Sequence, residues 1–176
     1  DMDKAVDRII SAQKNGEKIA VWSDYDCDGI PGGVMLAQFL RGIGLAVTHY
    51  IPHRHEEGYG LNKEGIIELK DAGITLIITV DLGTMEHENV AFAKENGIDI
   101  IVTDHHIAPS VLPEAFALLN PKRQDSAYPF DGLCGAGVAW KLVQGVLAKN
   151  RFDIQEGQEM MQREYNFCFD HSIRIP

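Results

Sequence analysis

One short segment carries three aspartates whose negative charges repel one another. Asp24, Asp26 and Asp28 occupy alternate positions in the segment DYDCDG. Like charges a few ångströms apart repel strongly where solvent screening is poor, and a bound cation removes that cost. In an extended chain alternate side chains point the same way, so two or three of these carboxylates are expected to converge on one metal ion. The alternative interpretation is an acidic turn that ends in glycine.

Two further acidic positions follow apolar runs later in the chain. Asp81 comes directly after the run ITLIITV, where a lone aspartate would serve equally well to cap the next helix. Asp104 comes directly after the run IDIIVT and is followed by His105 and His106. A carboxylate beside two imidazoles offers a metal ligand together with a group that fixes the imidazole tautomer.

All three acidic segments lie where an apolar run ends, and the carboxyl ends of parallel strands meet at one edge of a sheet. Helix capping alone does not explain an edge rich in both aspartate and histidine, so we predict a carboxylate–histidine metal site. Oxygen ligands with one or two imidazoles and no thiolate suit Mn²⁺ best and Mg²⁺ next. The number of carboxylates favours two ions, which phosphoester hydrolases use to activate water and to neutralise phosphoryl charge.

The elements that position these residues follow an alternating pattern. Short apolar runs bounded by Gly, Pro or Asp predict five strands, over residues 18–23, 45–51, 74–80, 98–103 and 115–119. Helical periodicity predicts five helices, over residues 3–14, 31–42, 62–72, 85–96 and 133–149, and each of them ends near a glycine or an asparagine. This alternation predicts an α/β fold with a doubly wound, mostly parallel five-stranded sheet and helices on both faces.

The composition is that of one globular domain, with 45% apolar and 24% charged residues among 176. No apolar run is long enough for a membrane span, and the N-terminal segment has no signal-peptide pattern. Cys27, Cys134 and Cys168 form neither a disulfide framework nor a zinc site. We therefore expect a cytoplasmic protein with reduced thiols, two of them buried and one in a loop.

The formal net charge of −10 gives no sign of the basic patch that a duplex-binding module carries. Two explanations stay open. Either the substrate is not nucleic acid, or the acidity is concentrated at the metal site and a basic groove lies on a part of the protein outside this chain.

The acidic segments DYDCDG at 24–29, VDLG at 80–83 and TDHH at 103–106 resemble, in order and spacing, the first three motifs of the DHH superfamily of phosphoesterases. Within that superfamily the chain most resembles the RecJ-type single-strand-specific exonucleases. The segments that carry this closer resemblance are DMDKAV at 1–6, IPHR at 51–54, EGYGLN at 57–62, LNP at 119–121, YPF at 128–130 and LCGAGVA at 133–139.

The resemblance implies roles for the residues at these motifs. Asp26 and Asp28 would each ligate one ion, and Asp81 would bridge the two. His105 would be an imidazole ligand, with Asp104 supporting it from behind.

Other roles implied by the resemblance concern the substrate. His106 would face the scissile phosphate as a donor, and Asp24 would be a supporting or additional carboxylate. Arg54 and the turn around Tyr59 would lie near the substrate, although Arg54 also fits a plain surface loop. Gly135 and Gly137 stand at the start of a predicted helix. The absence of side chains there either lets backbone N–H groups approach a phosphate or serves only close packing of the helix.

The function implied by the resemblance is 5′–3′ exonuclease activity on single-stranded DNA in repair and recombination, beside repair or replication proteins. Two alternatives stay open: a hydrolase of oligonucleotides or cyclic dinucleotides, and a non-catalytic scaffold with the same fold. Trp22 stands where many small-substrate relatives carry histidine, which favours the RecJ group. Members of the superfamily carry a fourth motif, an aspartate that completes the second metal site, and residues 151–176 contain no convincing match to it. Asp170 lies near the right distance, but its sequence context matches poorly.

The domain organisation predicted from the sequence has two parts. Residues 1–150 form the catalytic core. Residues 151–176, which break the alternating pattern, are expected to be a helical extension toward a missing C-terminal region that carries the DNA-binding domains.

Overall fold

The structure is a computed structural model that describes residues 1–53 and 58–149. Its strands are β1 Lys18–Ser23, β2 Ala46–Tyr50, β3 Ile74–Val80, β4 Asp99–Thr103 and β5 Ala117–Leu119. Its helices are α1 Met2–Asn15, α2 Gly29–Gly42, α3 Lys63–Asp71, α4 His87–Glu95 and α5 Gly135–Lys149. All ten predicted elements are present, and their ends differ from the predicted ends by no more than two residues.

The five strands form one sheet in the order β2-β1-β3-β4-β5, and every pairing is parallel. The predicted doubly wound α/β fold is therefore confirmed. The register aligns the carboxyl ends of four neighbouring strands in one row, since Ser23 pairs with Val80, Val80 with Thr103, and Thr103 with Leu119. The residues that directly follow these four strands therefore lie at one edge of the sheet.

Helices cover both faces of the sheet, which is why the strands are apolar on both sides. Alternate residues of β1 enter different cores: Ile19 and Val21 pack with α1, α2 and α5, whereas Ala20 and Trp22 pack with α3 and α4. The side chain of Trp22 is fully buried. The two cores clamp β1 and β3 from both sides and so give the site at their ends a rigid base.

The helix ends follow the sequence signals. Gly16 ends α1 in the left-handed conformation, with φ of 65°, which L residues with a side chain rarely adopt. Asn62 caps α3, because its side-chain oxygen accepts the backbone N–H of Gly65 at 2.7 Å. Several predictions fall outside the described residues: the role of Arg54, the stop at Asn150, the environment of Cys168, the ligand Asp170 and the extension over 151–176.

The prediction that two of the three cysteines are buried is wrong. Cys27 and Cys134 are both exposed. Each lies in a connection at the carboxyl edge of the sheet, where the chain leaves the apolar layers. Among the residues that the structure describes, none of the helices combines the length and apolar character that crossing a membrane requires.

Candidate metal centre

The residues after the aligned strand ends form a polar row. Asp24, Asp81, Asp104 and Asn120 are the first residues after β1, β3, β4 and β5, respectively. The backbone N–H groups of the three aspartates donate to the last carbonyl groups of the neighbouring strands at 2.9–3.1 Å, so the row continues the ladder of the sheet. All four side chains are buried, at 5% exposure or less. Parallel strand register thus places the three acidic segments side by side.

The segment that carries Asp26 and Asp28 is a turn into α2, and the expectation that it is extended is wrong. Within the turn the carboxylate of Asp26 accepts the backbone N–H groups of Asp28 and Gly29, each at 2.8 Å. The hydrogen bond from Gly29, then that from Asp28, lowers the pKa of Asp26 below its ordinary value. Asp26 is therefore held as a carboxylate at the start of α2.

Asp28 points away from that turn toward the start of α5. Its two carboxylate oxygens accept the backbone N–H groups of Gly135 at 2.6 Å and Ala136 at 2.9 Å. One of these oxygens, Oδ2, lies 3.7 Å from Nε2 of His105. The N-terminus of α5 thus fixes Asp28 beside the row through its free N–H groups and its partial positive charge.

Asp81 is at the centre of the site, because it belongs to two groups of close ligand atoms. In one group its carboxylate lies within 4.8 Å of ligand atoms of Asp24 and Asp26, and in the other it lies within 4.8 Å of ring nitrogens of His105 and His106. The second group includes the short distance of 3.1 Å between Asp81 Oδ1 and His105 Nε2. Asp81 is therefore shared by two neighbouring donor sets, which include Asp26 and His105 as predicted, whereas Asp28 belongs to neither of these sets.

Asp81 also has the features of a residue that holds a cation. Its backbone has a φ of 65°, the single positive φ at a non-glycine residue among those described. Its Oδ1 is buried and accepts no hydrogen bond from the described residues. Burial first, and then the charges of Asp28 and Asp26, raise the pKa of Asp81 to about 7. A divalent cation would satisfy the orphaned oxygen and remove the repulsion, so this set of ligands fits a hard metal ion.

The pair Asp104 and His106 forms the other half of the site. Oδ1 of Asp104 lies 2.7 Å from Nδ1 of His106, and Oδ2 accepts the backbone N–H of Thr84 at 2.9 Å. Burial would raise the pKa of Asp104, but the hydrogen bonds from Thr84 and His106 lower it below its ordinary value. Burial would lower the pKa of His106, but the hydrogen bond to Asp104 and the charges of Asp104, Asp81 and Asp24 together outweigh it, so the pKa of His106 is raised.

This geometry corrects one predicted partnership. Asp104 supports the ring of His106, whereas its contact with His105 is through the backbone N–H of that residue at 2.7 Å. Since the carboxylate of Asp104 is ionised, Nδ1 of His106 carries the proton that it donates. The other ring nitrogen, Nε2, is then the one that can meet a substrate.

The two glycines at the start of α5 have different surroundings. Gly135 packs on the site, because an added Cβ would come within 2.5 Å of Asp81 Oδ1. Its N–H is already given to Asp28. An added Cβ at Gly137 would meet only side chains of Leu133 and Cys134, at 3.4 Å or more, which is ordinary contact. In this structure, close packing against carboxylates accounts for the glycine at 135 but not for that at 137.

Several residues that hold the site were not singled out from the sequence. The amide of Asn120 donates to the hydroxyl of Thr84 at 3.0 Å and to the backbone carbonyl of His106 at 2.9 Å. The signal was present, since Asn120 follows a strand just as the three aspartates do. Glu86 directly precedes α4 and Asn89 lies within it. Asn89 donates to the carbonyl of Leu61, near the turn around Tyr59, and to the carboxylate of Glu86. Their positions at a surface helix give no such signal in the sequence.

Residues 18–169 match the family described as the DHH family, N-terminal domain. The chain belongs to the DHH family. The match covers all three acidic segments and confirms the resemblance drawn from them. In this chain the three acidic motifs directly follow the aligned ends of β1, β3 and β4.

Curated relatives of this DHH-family chain include RecJ exonucleases. It is 40% identical over 148 residues to the single-stranded-DNA-specific exonuclease RecJ of Bacillus subtilis, which covers 84% of this chain and 19% of that protein. It is 37% identical over 143 residues to the RecJ of Escherichia coli, which covers 81% of this chain and 25% of that protein. The chain thus spans about a fifth to a quarter of the length of these relatives.

Solved structures agree with the fold. An exonuclease RecJ bound to manganese superposes with a TM-score of 0.76 at 33% identity, over 84% of this chain and 37% of that one. The RecJ of Thermus thermophilus in complex with Mn²⁺ gives a TM-score of 0.70 at 29% identity, over 84% of this chain and 21% of that one.

Proposed function

We propose that this chain carries the catalytic centre of a metal-dependent phosphodiesterase that cleaves single-stranded DNA from its 5′ end. The observation that carries the proposal is the position of Asp81 in two neighbouring donor groups, one of carboxylates and one with imidazoles. The similarity to single-stranded-DNA-specific RecJ exonucleases supports the substrate, and the direction of attack is the one that the sequence resemblance implies. Mn²⁺ is the preferred cofactor, with Mg²⁺ next, because the carboxylate oxygens suit both ions and the imidazole of His105 favours Mn²⁺.

In this proposal the aspartates and His105 hold the cofactor. Asp24 and Asp26 lie on one side of Asp81, and His105 lies on the other, with Asp28 at 3.7 Å from its ring. Bound divalent ions supply a water of lowered pKa and neutralise charge on the phosphoryl oxygens. The hydrogen bonds that Asp26 and Asp28 accept from backbone N–H groups hold both carboxylates in place before any ion arrives, so little reorganisation is needed.

The role of His106 in the proposal is to hold a proton toward the scissile phosphate. Asp104 orients the ring from behind through Nδ1 and favours the charged imidazolium. The ring is about half exposed, at 49%, so its outer edge is open to a ligand. A donor at this position would stabilise the negative charge that develops on the phosphate oxygens.

The proposal extends to organisation and setting. Residues 1–150 are the catalytic core, and the rest of the protein provides the basic surface that this acidic chain lacks for tight binding of single-stranded DNA. Arg54, Gly135 and Gly137 are proposed to lie near the substrate strand. The setting is the cytoplasm, where exposed thiols such as Cys27 and Cys134 stay reduced. Repair or replication proteins are the proposed partners.

The test combines metal binding with cleavage. Titration calorimetry with Mn²⁺ and with Mg²⁺ on this chain gives the number of ions, and a single-stranded DNA labelled at its 5′ end reports cleavage. We expect Mn²⁺ to bind more tightly and mononucleotides to be released from single strands, with duplex DNA of the same sequence as the control. Failure to bind either ion contradicts the proposal. Binding with cleavage of short or cyclic dinucleotides alone supports the small-substrate alternative, and binding without any cleavage supports the scaffold alternative.

A further inference from the structure

A serine–histidine pair lies beneath the start of α2, on the face of the sheet that this helix covers. Ser23 is the last residue of β1, and its side chain is fully buried. Its Oγ lies 2.9 Å from Nε2 of His49, which belongs to the edge strand β2. Burial first, and then the charge of Arg41, lower the pKa of His49. The ring is therefore uncharged at neutral pH, and in either tautomer it shares one hydrogen bond with the serine hydroxyl.

The backbone of α2 rests directly on this pair. A Cβ added at Gly33 would come within 2.5 Å of His49 Nε2 and within 2.7 Å of Ser23 Oγ. A Cβ added at Gly29 would come within 2.6 Å of the backbone oxygen of Asp24. Contacts this short exclude a side chain at either glycine, so the first turns of α2 lie close against the end of β1.

Both ends of the acidic turn, residues 24–28, are therefore held by the serine–histidine pair. One end is held covalently, since Ser23 directly precedes Asp24. The other end is held by packing, since the turn runs into α2 and α2 lies on the pair at Gly33. Within the turn the Asp26 carboxylate accepts two backbone N–H groups, and this geometry needs the two ends at a fixed separation.

The pair takes no direct part in the proposed chemistry. Burial closes Ser23 to a substrate, and His49 belongs to neither of the donor groups that share Asp81. A hydroxyl and an imidazole placed between apolar layers cost free energy unless they bond to each other, and apolar side chains would fill the same space without that cost. The polar pair therefore indicates a need to fix the end of β1 in one position.

We propose that His49 is a positioning residue, which acts through Ser23 to hold the acidic turn in the geometry that binds a divalent cation. The proposal rests on the proposed function and adds to it a residue on which the metal centre depends. Among the described residues, β2 contributes no member of the donor groups around Asp81, and His49 is its link to the site. Carboxylates that are already in place bind an ion with little reorganisation, so a firm hold on the turn strengthens binding.

The test measures the turn without metal and the affinity with metal. Amide hydrogen exchange of Asp28 and Gly29, whose N–H groups Asp26 accepts, reports the order of the turn in the metal-free chain. Calorimetry with Mn²⁺ in mildly alkaline buffer, where the imidazole is uncharged, reports the affinity. We expect Ser23→Ala, which removes only the hydroxyl, to speed exchange at both amides and to weaken Mn²⁺ binding about tenfold.

Variants at His49 distinguish the hydrogen bond from the size of the ring. His49→Phe keeps a ring and loses the bond, so it should reproduce both effects of Ser23→Ala, and the double variant should be no worse than either single variant. His49→Gln should restore the exchange rates and the affinity, because its amide can donate to the hydroxyl or accept from it. Additive losses in the double variant, or a His49→Gln chain that behaves like His49→Phe, overturn the proposal.

Arg41 offers a matched control, because it ties α2 to the same strand at the other end of the helix. Its Nε and Nη2 donate to the backbone carbonyl of Val47, at 3.2 and 3.0 Å. Arg41→Ala removes this link about three turns along the helix from Gly29. We expect it to lower the unfolding temperature and to change neither amide exchange in the acidic turn nor Mn²⁺ affinity. Equal weakening of Mn²⁺ binding in Arg41→Ala and Ser23→Ala would show that the site needs only a stable α2, and would overturn the positioning role.

The outcomes separate this inference from the proposed function. If the unaltered chain binds Mn²⁺ and cleaves single strands, while Ser23→Ala and His49→Phe bind Mn²⁺ with unchanged affinity, the positioning role is overturned and the proposed function stands. If the unaltered chain binds no divalent ion, the proposed function fails and this inference fails with it.

Discussion

Gly135 donates its backbone N–H to the carboxylate of Asp28 at 2.6 Å and at the same time packs against the carboxylate of Asp81. The start of α5 therefore contacts two of the proposed metal ligands. It donates a hydrogen bond to Asp28, and it packs closely against Asp81 because glycine has no side chain. Gly135 and Asp28 are 107 residues apart in sequence. This contact links the start of α5, the last helix of the described chain, to the start of α2.

The first prediction concerns the two glycines of α5. Gly135→Ala should weaken Mn²⁺ binding by at least about tenfold, because its Cβ would come within 2.5 Å of Asp81 Oδ1 and displace that carboxylate. Gly137→Ala should leave Mn²⁺ binding unchanged and stabilise the helix by up to about 1 kcal/mol, because alanine is the better helix former. Calorimetry and thermal unfolding of both variants measure these effects.

The second prediction concerns the pair Asp104 and His106. Asp104→Asn should lower the pKa of the His106 ring, since the carboxylate that opposes the effect of burial is lost. NMR titration of the ring in the metal-free protein measures this shift. Single-strand cleavage should fall by about 10- to 100-fold, as for other residues that orient groups at metal sites. An unchanged His106 titration in Asp104→Asn would contradict the assigned partnership.

The sequence was sufficient for the fold because its signals are local. Apolar runs, helical periodicity and the glycines after helices each act within one element, and alternation of strand and helix restricts the topology to a parallel sheet. It also located the three acidic segments at one sheet edge, because parallel strands share their direction. The strand register could not be predicted from the sequence. The structure shows that it aligns the strand ends, since Val80 pairs with Thr103.

The finer geometry of the site was out of reach for a physical reason. Whether Asp104 supports His105 or His106 depends on side-chain rotamers, and whether Asp28 turns toward α5 depends on a contact between residues 107 positions apart. The hydrogen bond of Asn89 to the backbone carbonyl of Leu61 is likewise a tertiary contact. Alternation within a segment carries no information about such contacts.

The third prediction concerns stability in acid. Arg8 and Glu17 form an ion pair at the opposite edge of the sheet, with 2.7 Å between Arg8 Nη2 and Glu17 Oε2. Both side chains are mostly buried, at 12% and 19% exposure. The hydrogen bond to Arg8 lowers the pKa of Glu17 below 4.5 against the effect of burial. Because the folded-state pKa is depressed, this stabilisation is present above about pH 4.5 and is lost as the pH falls through the folded-state value.

Glu17→Gln should therefore cost about 1–2 kcal/mol of unfolding free energy at neutral pH, and the difference from the unaltered chain should shrink toward zero in acid. Denaturant unfolding at several pH values measures both. Glu114→Gln is the matched control, because the Lys94–Glu114 pair is largely exposed, at 66% and 84%, and should change stability little at any pH. A pH-independent cost in Glu17→Gln would show that packing, not charge, carries the effect.

The fourth prediction concerns Asp81, for which asparagine is a better probe than alanine. Asn tolerates the positive φ of 65° at this position, and Asp81→Asn keeps the shape of the side chain while it removes the charge. The variant should lose Mn²⁺ binding and all Mn²⁺-dependent turnover, because both donor groups share this carboxylate. In the presence of a chelator it should unfold at a higher temperature than the unaltered chain, since buried repulsion is relieved.

The sign of the pH dependence makes this prediction specific. The pKa of Asp81 is raised from 3.8 to about 7, so its contribution to stability is present at low pH and is lost as the pH rises through about 7. The advantage of Asp81→Asn without metal should therefore be largest in mild alkali and disappear in acid. Asp71→Asn, at an exposed position at the end of α3, is the control and should show no such trend. An Asp81→Asn variant that still binds Mn²⁺ with unchanged affinity would remove Asp81 from the ligand set, and with it the shared carboxylate on which a two-ion centre depends.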